Sequence, residues 1–216
     1  MFTREMQGGP LDHVALWTDE RNALAEFLVE RAGMHVIDRT DKFTLVGADA
    51  KKGKLTLFEA DGPRDPGALG QVGLRVHDES LAGKVSAPGG LELEFVDNRE
   101  GDEWDLNHVA LRVPDPAHAA AEFLKLGFEP GDAEEAVVAG DKTVYFVEGS
   151  NGQVEKPLLN HLALLVDSYK EHVENAKERG LEYEEVDAAN TWAVFVTGPY
   201  GIRIEYVEHK PGFALT

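Results

Sequence analysis

Apolar and polar residues alternate in short runs along the chain, and stretches with helical spacing separate the runs. The clearest runs open on one recurring segment: Asp-His-Val-Ala-Leu at 12–16, Asn-His-Val-Ala-Leu at 107–111 and Asn-His-Leu-Ala-Leu at 160–164. Each reads as a buried strand followed by a helix, with a glycine stop at Gly33, Gly127 or Gly180. The first unit is expected to carry a strand at 12–17, a helix at about 20–32 and strands at 34–39, 42–47 and 54–60. The third has a strand at 106–113, Pro114-Asp115-Pro116 as punctuation and a helix over 117–126. The last has a strand at 159–166, a helix at about 168–179 and strands at 182–186, 192–197 and 202–208.

A further copy lies at 69–98. Leu-Gly-Gln-Val-Gly-Leu-Arg-Val at 69–76 aligns with Leu-Asn-His-Val-Ala-Leu-Arg-Val at 106–113, and Pro-Gly-Gly-Leu-Glu-Leu-Glu at 88–94 aligns with Pro-Tyr-Gly-Ile-Arg-Ile-Glu at 199–205. It is compressed, with 23 steps from Gln71 to Glu94 against 44 from His161 to Glu205. It has lost its helix and a strand or two. The chain thus reads as an α+β protein of four βαβββ-like modules, the second truncated. Two halves are expected, a degenerate two-module domain at 1–98 and a metal-binding one at 106–216, with a charged seam near 98–105.

Strand geometry sorts the candidate chemistry. Alternate residues face opposite sides, so His108, Ala110 and Arg112 share one face, and so do His161, Ala163 and Leu165. Glu205 lies on the matching face of the last strand, away from its own helix. Two imidazoles and a carboxylate form a ligand set for non-haem Fe(II), and the same set accepts Mn, Zn, Ni or Co. His108, His161 and Glu205 are therefore the expected metal ligands; the alternative is a coincidence left by duplication. In the first half the matching positions are His13, Gln71 and Glu94, where one imidazole has become an amide. Arg75, Glu92 and Glu94 share a face there and are expected to neutralise one another. Arg112 and Arg203 could meet an anionic substrate, and Trp192 and Tyr200 could line an aromatic-accepting pocket. His35, His77, His118, His172 and His209 have no repeat partner and read as surface or structural.

Composition narrows the function. The 216 residues carry 40 acidic and 21 basic side chains, a formal charge of −19. Nucleic acid and anionic membrane surfaces are repelled by such a chain. Cysteine is absent, which removes disulfides, thiolate sites and a Cys nucleophile. No apolar run approaches the roughly 20 residues a bilayer requires, and the first residues lack signal-peptide features, so a cytoplasmic location is expected. No Walker, GxGxxG or GxSxG motif appears.

The His108 and His161 strands, Leu-Gly-Phe at 126–128 and Gly-Pro-Tyr-Gly-Ile-Arg-Ile-Glu at 198–205 resemble the vicinal oxygen chelate superfamily. That superfamily includes glyoxalase I, bleomycin- and fosfomycin-resistance proteins and type I extradiol dioxygenases. The resemblance covers nearly the whole chain and implies paired βαβββ modules closing into two cupped mixed sheets. Four modules with a His, His, Glu set look most like catechol 2,3-dioxygenase. This implies Fe(II), a small aromatic diol as substrate, and cleavage of its ring with O₂. The resemblance puts Tyr145 near the slot of that family's acid–base His, while 186–190 holds no His and Phe195 stands where the family has a Tyr. A glyoxalase-like isomerase or lyase, with Glu148 as its base, is the alternative enzyme. A bleomycin-resistance-type binding protein is the non-catalytic one. Superfamily members often pair, so a homodimer is a possible assembly.

Overall fold

The computed structural model describes residues 6–50, 53–76, 78–97, 105–149, 154–213 and 215. The first unit runs β1 (Leu11–Thr18), α1 (Arg21–Ala32), β2 (His35–Arg39), β3 (Phe43–Gly47) and β4 (Lys54–Glu59). The second has only β5 (Leu69–Val76), β6 (Gly83–Ala87) and β7 (Leu91–Asp97), with a single 3-10 turn where the helix would be. The third runs β8 (Leu106–Val113), α2 (Pro116–Leu124), β9 (Glu129–Pro130), β10 (Ala136–Ala139) and β11 (Lys142–Glu148). The fourth runs β12 (Leu159–Leu165), α3 (Tyr169–Arg179), β13 (Tyr183–Asp187), β14 (Thr191–Thr197) and β15 (Arg203–His209). The four-module α+β reading holds, including the truncated second module.

Local chemistry explains the helix limits. Asp115 and Ser168 accept backbone N–H bonds from His118 and Glu171 and cap α2 and α3. Gly33 and Gly180 end α1 and α3 in the left-handed region, at φ of 71° and 66°, where a side chain would be strained.

The sheets combine the modules differently from the expected halves. An eight-stranded sheet has the order β13-β14-β15-β12-β1-β4-β3-β2, and a seven-stranded one β6-β7-β5-β8-β11-β10-β9. The first unit therefore joins the fourth through antiparallel β1 and β12, and the second joins the third through antiparallel β5 and β8. Neither 1–98 nor 106–216 closes a sheet of its own. Repetition reveals which strands are equivalent, but any two first strands present compatible edges, so it does not reveal which will pair. The seam proposed at 98–105 lies outside the described residues apart from Asp105, and His77 also lies outside them.

One continuous core joins both sheets. It takes Val14 and Leu16, Val72 and Leu74, Val109 and Leu111, and Leu162 and Leu164 from the central strands, with Leu24, Leu28, Phe123 and Val173 from the helices. The opposite face of each central strand carries the His or Gln positions. Each sheet also buries a lysine against an aspartate: Lys54 Nζ lies 2.6 Å from Asp12, and Lys142 Nζ 2.7 Å from Asp105. Arg75 joins the second pair at 2.6 Å from Asp105 and also bonds Asp141, rather than Glu92 or Glu94 as the sequence suggested. A buried carboxylate without its cation is costly. Burial opposes the charge on Asp12, yet Lys54, His13 and His209 outweigh it and hold the carboxyl well below the usual carboxylate range.

Lys54→Met is expected to destabilise the protein by about 3–5 kcal/mol at neutral pH, read by urea denaturation. Because the Asp12 pKa is depressed in the folded state, its stabilisation is present above the ordinary carboxylate range and fades as pH falls. The wild-type advantage should therefore shrink in strong acid.

Candidate metal centre

His13 lies on β1, His161 on β12 and Glu205 on β15, three adjacent strands of the larger sheet. In the β1–β12 register His13 faces Ala163 and Ala15 faces His161, so the two imidazoles meet diagonally on one face over small residues. Glu205 is paired with Ala163 and enters from the side. The Nε2 atoms of His13 and His161 are 3.0 Å apart, and Glu205 Oε2 is 3.1 Å from the first and 3.0 Å from the second. All three residues are buried, at 8 %, 4 % and 7 % exposure.

The far side of each ring fixes what these atoms are. His13 Nδ1–H donates to Asp12 Oδ2 at 2.7 Å, and His161 Nδ1–H donates to Asn160 Oδ1 at 3.0 Å. With both rings neutral, both Nε2 atoms then carry lone pairs, and they point at each other and at a carboxylate. Glu205 Oε2 is a buried oxygen with no hydrogen-bond donor. Three converging lone pairs out of contact with water repel unless a proton on His13 or a metal cation sits among them. The donor set, two imidazoles and a carboxylate with outer partners holding the rings, fits a divalent ion.

The titration directions agree. Burial disfavours the Glu205 charge, but His161 and His13 offset it and hold the carboxyl at about 2. Burial pushes the His161 pKa down, keeping its imidazole neutral. Burial also opposes a charge on His13, yet hydrogen bonds and charge from Asp12 and Glu205 raise its pKa. A proton on His13 is thus what an ion must displace.

His108, expected as a ligand, stands elsewhere. It lies on β8 in the other sheet, where Gln71 takes the place that His13 holds in the first. His108 Nδ1–H donates to Asn107 Oδ1 at 2.9 Å, and its Nε2 accepts from the Gln71 amide at 3.0 Å. The same amide donates to Glu94 Oε2. One N–H₂ group satisfies both acceptors, which in the first cup have no donor. The repeat makes His13 equivalent to the other two His, and the pairing of β1 with β12 brings it, rather than His108, to His161. Asp12 beside it, where the other two copies have Asn, was the signal that this ring is held differently.

The remaining candidates separate as follows. Tyr145 is on β11 opposite Ala110, with its ring 5.6 Å from that of His108, and so lies in the second cup. Glu148 is on the same strand. Arg112 is in the second cup as well, with Nη1 donating to Leu69 O at 3.3 Å. Trp192 stacks on Tyr169 of α3 with ring centroids 6.0 Å apart, because it alternates with the cup-facing Ala193. Tyr200 occupies a turn at φ 58° and donates to Asp115 O. Arg203 pairs with Glu184 at 2.9 Å and lies 4.6 Å over the Phe195 ring, close to the triad. Aromatic rings surround the triad: Phe195 lies 5.0 Å and Phe58 6.3 Å from the His161 ring, and Trp17 and Phe43 pack on Phe58.

No family model and no curated protein matches the chain. Solved structures do. A putative dioxygenase from Bacillus subtilis is 17% identical with a TM-score of 0.75, covering 97% of this chain and 88% of that one. Glyoxalase I from Zea mays is 14% identical with a TM-score of 0.71, covering 92% of each chain. The cppA protein from Streptococcus pneumoniae is 13% identical with a TM-score of 0.63, covering 94% of this chain and 99% of that one. The chain shares their fold, the one that the resemblance to vicinal oxygen chelate proteins implied. No helix among the described residues is long and apolar enough to cross a membrane.

Titration calorimetry with Mn(II) or Zn(II) should give one ion per chain. His13→Ala, His161→Ala and Glu205→Ala should each abolish stoichiometric binding, and His108→Ala should leave it intact. Asp12→Asn should weaken it by about 10–100-fold by loosening the His13 ring. Below the His13 pKa, affinity should fall about tenfold per pH unit, since one proton competes with the ion.

Proposed function

We propose that the chain is a metal-dependent enzyme of the vicinal oxygen chelate type, acting as a dioxygenase on a small catechol-like aromatic substrate. The convergence of His13, His161 and Glu205 on one donor-free point carries the reading. Iron(II) is the favoured ion, because two imidazoles and one carboxylate leave coordination positions open for substrate and O₂. When bound, the ion supplies a Lewis acid and redox centre that brings a vicinal diol and O₂ together.

The protein's own residues prepare the site. Asp12 and Asn160 hold the two rings with their Nε2 atoms inward. Glu205 contributes the negative charge that keeps a cation in a water-poor setting. Phe58, Phe195 and Trp17 give walls suited to a flat apolar ring and limit water. Arg203 adds positive charge on the side of the triad nearest Phe195, where an ionised diol would benefit. The name of the Bacillus subtilis protein points the same way, while the Zea mays enzyme keeps a glyoxalase-like isomerase as the alternative.

Protein loaded anaerobically with Fe(II) to full occupancy should consume O₂ when given a panel of catechols. His161→Ala should abolish uptake and His108→Ala should not. Turnover of a small oxygenated metabolite without O₂ uptake by the same loaded protein would establish the isomerase instead.

A further inference from the structure

The second cup holds a cavity of about 680 Å³. Its floor is Ala110, and the strand register builds a box around that residue. His108 and Arg112 stand two positions to either side on β8 and share its face. Gln71 is paired with Ala110 across β5, and Tyr145 across β11. The polar end is closed by its own hydrogen bonds, because Gln71 ties Glu94 and His108 together. That leaves no set of bare acceptors, and the cup has no call for an ion.

The other end is different. Among the described residues the Arg112 guanidinium is held only by the backbone, through Leu69 O at 3.3 Å and Gly70 O at 3.5 Å. No carboxylate among the described residues forms an ion pair with it, although the chain carries 40 acidic side chains against 21 basic ones. Arg112 nonetheless lines the cavity, as does Tyr145, a residue 42 % exposed. Lys84 lies on the cavity wall beyond Glu94 and adds a second cation without a carboxylate partner among the described residues. A planar cation with free N–H groups beside an exposed aromatic face is suited to a carboxylate attached to a flat apolar body.

We propose that the second cup is a separate binding site for a small aryl carboxylate. Arg112 takes the carboxylate, the Tyr145 ring packs against the flat body, and Ala110 leaves the space between them. The site needs no metal and stands whether or not the first cup is catalytic.

Benzoate is the probe, followed by ligand-observed NMR on the full chain, with benzylamine as the cationic control and inorganic phosphate as competitor. Benzoate should bind saturably, benzylamine should not, and phosphate should compete poorly. Arg112→Gln should weaken benzoate by at least about tenfold, and Ala110→Leu, which fills the floor, should do the same. His161→Ala, which removes a group from the other cup, should leave the affinity unchanged. Thermal melts separate loss of binding from loss of fold, and Tyr145→Ala offers a second route if either substitution unfolds the chain. The proposal fails if benzoate does not saturate the wild-type protein or if folded Arg112→Gln and Ala110→Leu both bind like wild type. It also fails if His161→Ala abolishes binding, or if phosphate displaces benzoate with equal affinity.

Discussion

Two imidazole nitrogens and a carboxylate oxygen crowd within about 3 Å of one another on the face of the larger sheet that turns away from the main core. Everything around them enforces that crowding. Asp12 and Asn160 hold the rings from behind, Lys54 anchors Asp12, and the backbone pairing of β1, β12 and β15 sets the approach. Left as three bare acceptors, the arrangement would relax, because each loses its water on burial without gaining a donor. A proton on His13 relieves the conflict in part, and a divalent ion that displaces that proton engages all three acceptors. The reading of the molecule as a metalloprotein follows from that electrostatic constraint more than from any likeness to other proteins.

The second cup shows the other solution to the same problem. The pseudo-equivalent positions there are Gln71, Glu94 and His108, and the amide of Gln71 donates to both neighbours. Exchanging an imidazole for an amide replaces a demand for an ion with a closed hydrogen-bond network. Gly73 completes the change: a Cβ there would lie 2.2 Å from the His108 ring, so the ring rests where no other residue would admit it. The two similar cups thus differ, through a few side chains, in what their polar ends offer a ligand.

Much of this was visible in the repeat itself. Alternation and helical spacing located the modules, and the shortened distance from Gln71 to Glu94 announced the missing helix. The division of faces was legible too: Leu162, Leu164 and Tyr206 enter the core, while Ala163 and Val207 look into the cup. Pairing between modules was not legible, since equivalent strands have equivalent edges. That is why His108 was grouped with His161 when His13 is the residue that meets it. The same gap displaced Tyr145 and Arg112, which are correctly oriented on their strands but belong to the other sheet. Trp192 alternates with Ala193 and so packs on Tyr169 of α3 rather than lining a pocket.

The most direct test is anomalous diffraction from crystals grown with Mn(II) or Co(II), recorded at the metal's absorption edge. The account predicts one strong peak enclosed by His13 Nε2, His161 Nε2 and Glu205 Oε2, and none beside His108. Empty density at that point at saturating metal, or a peak in the Gln71, Glu94 and His108 cup instead, would contradict it.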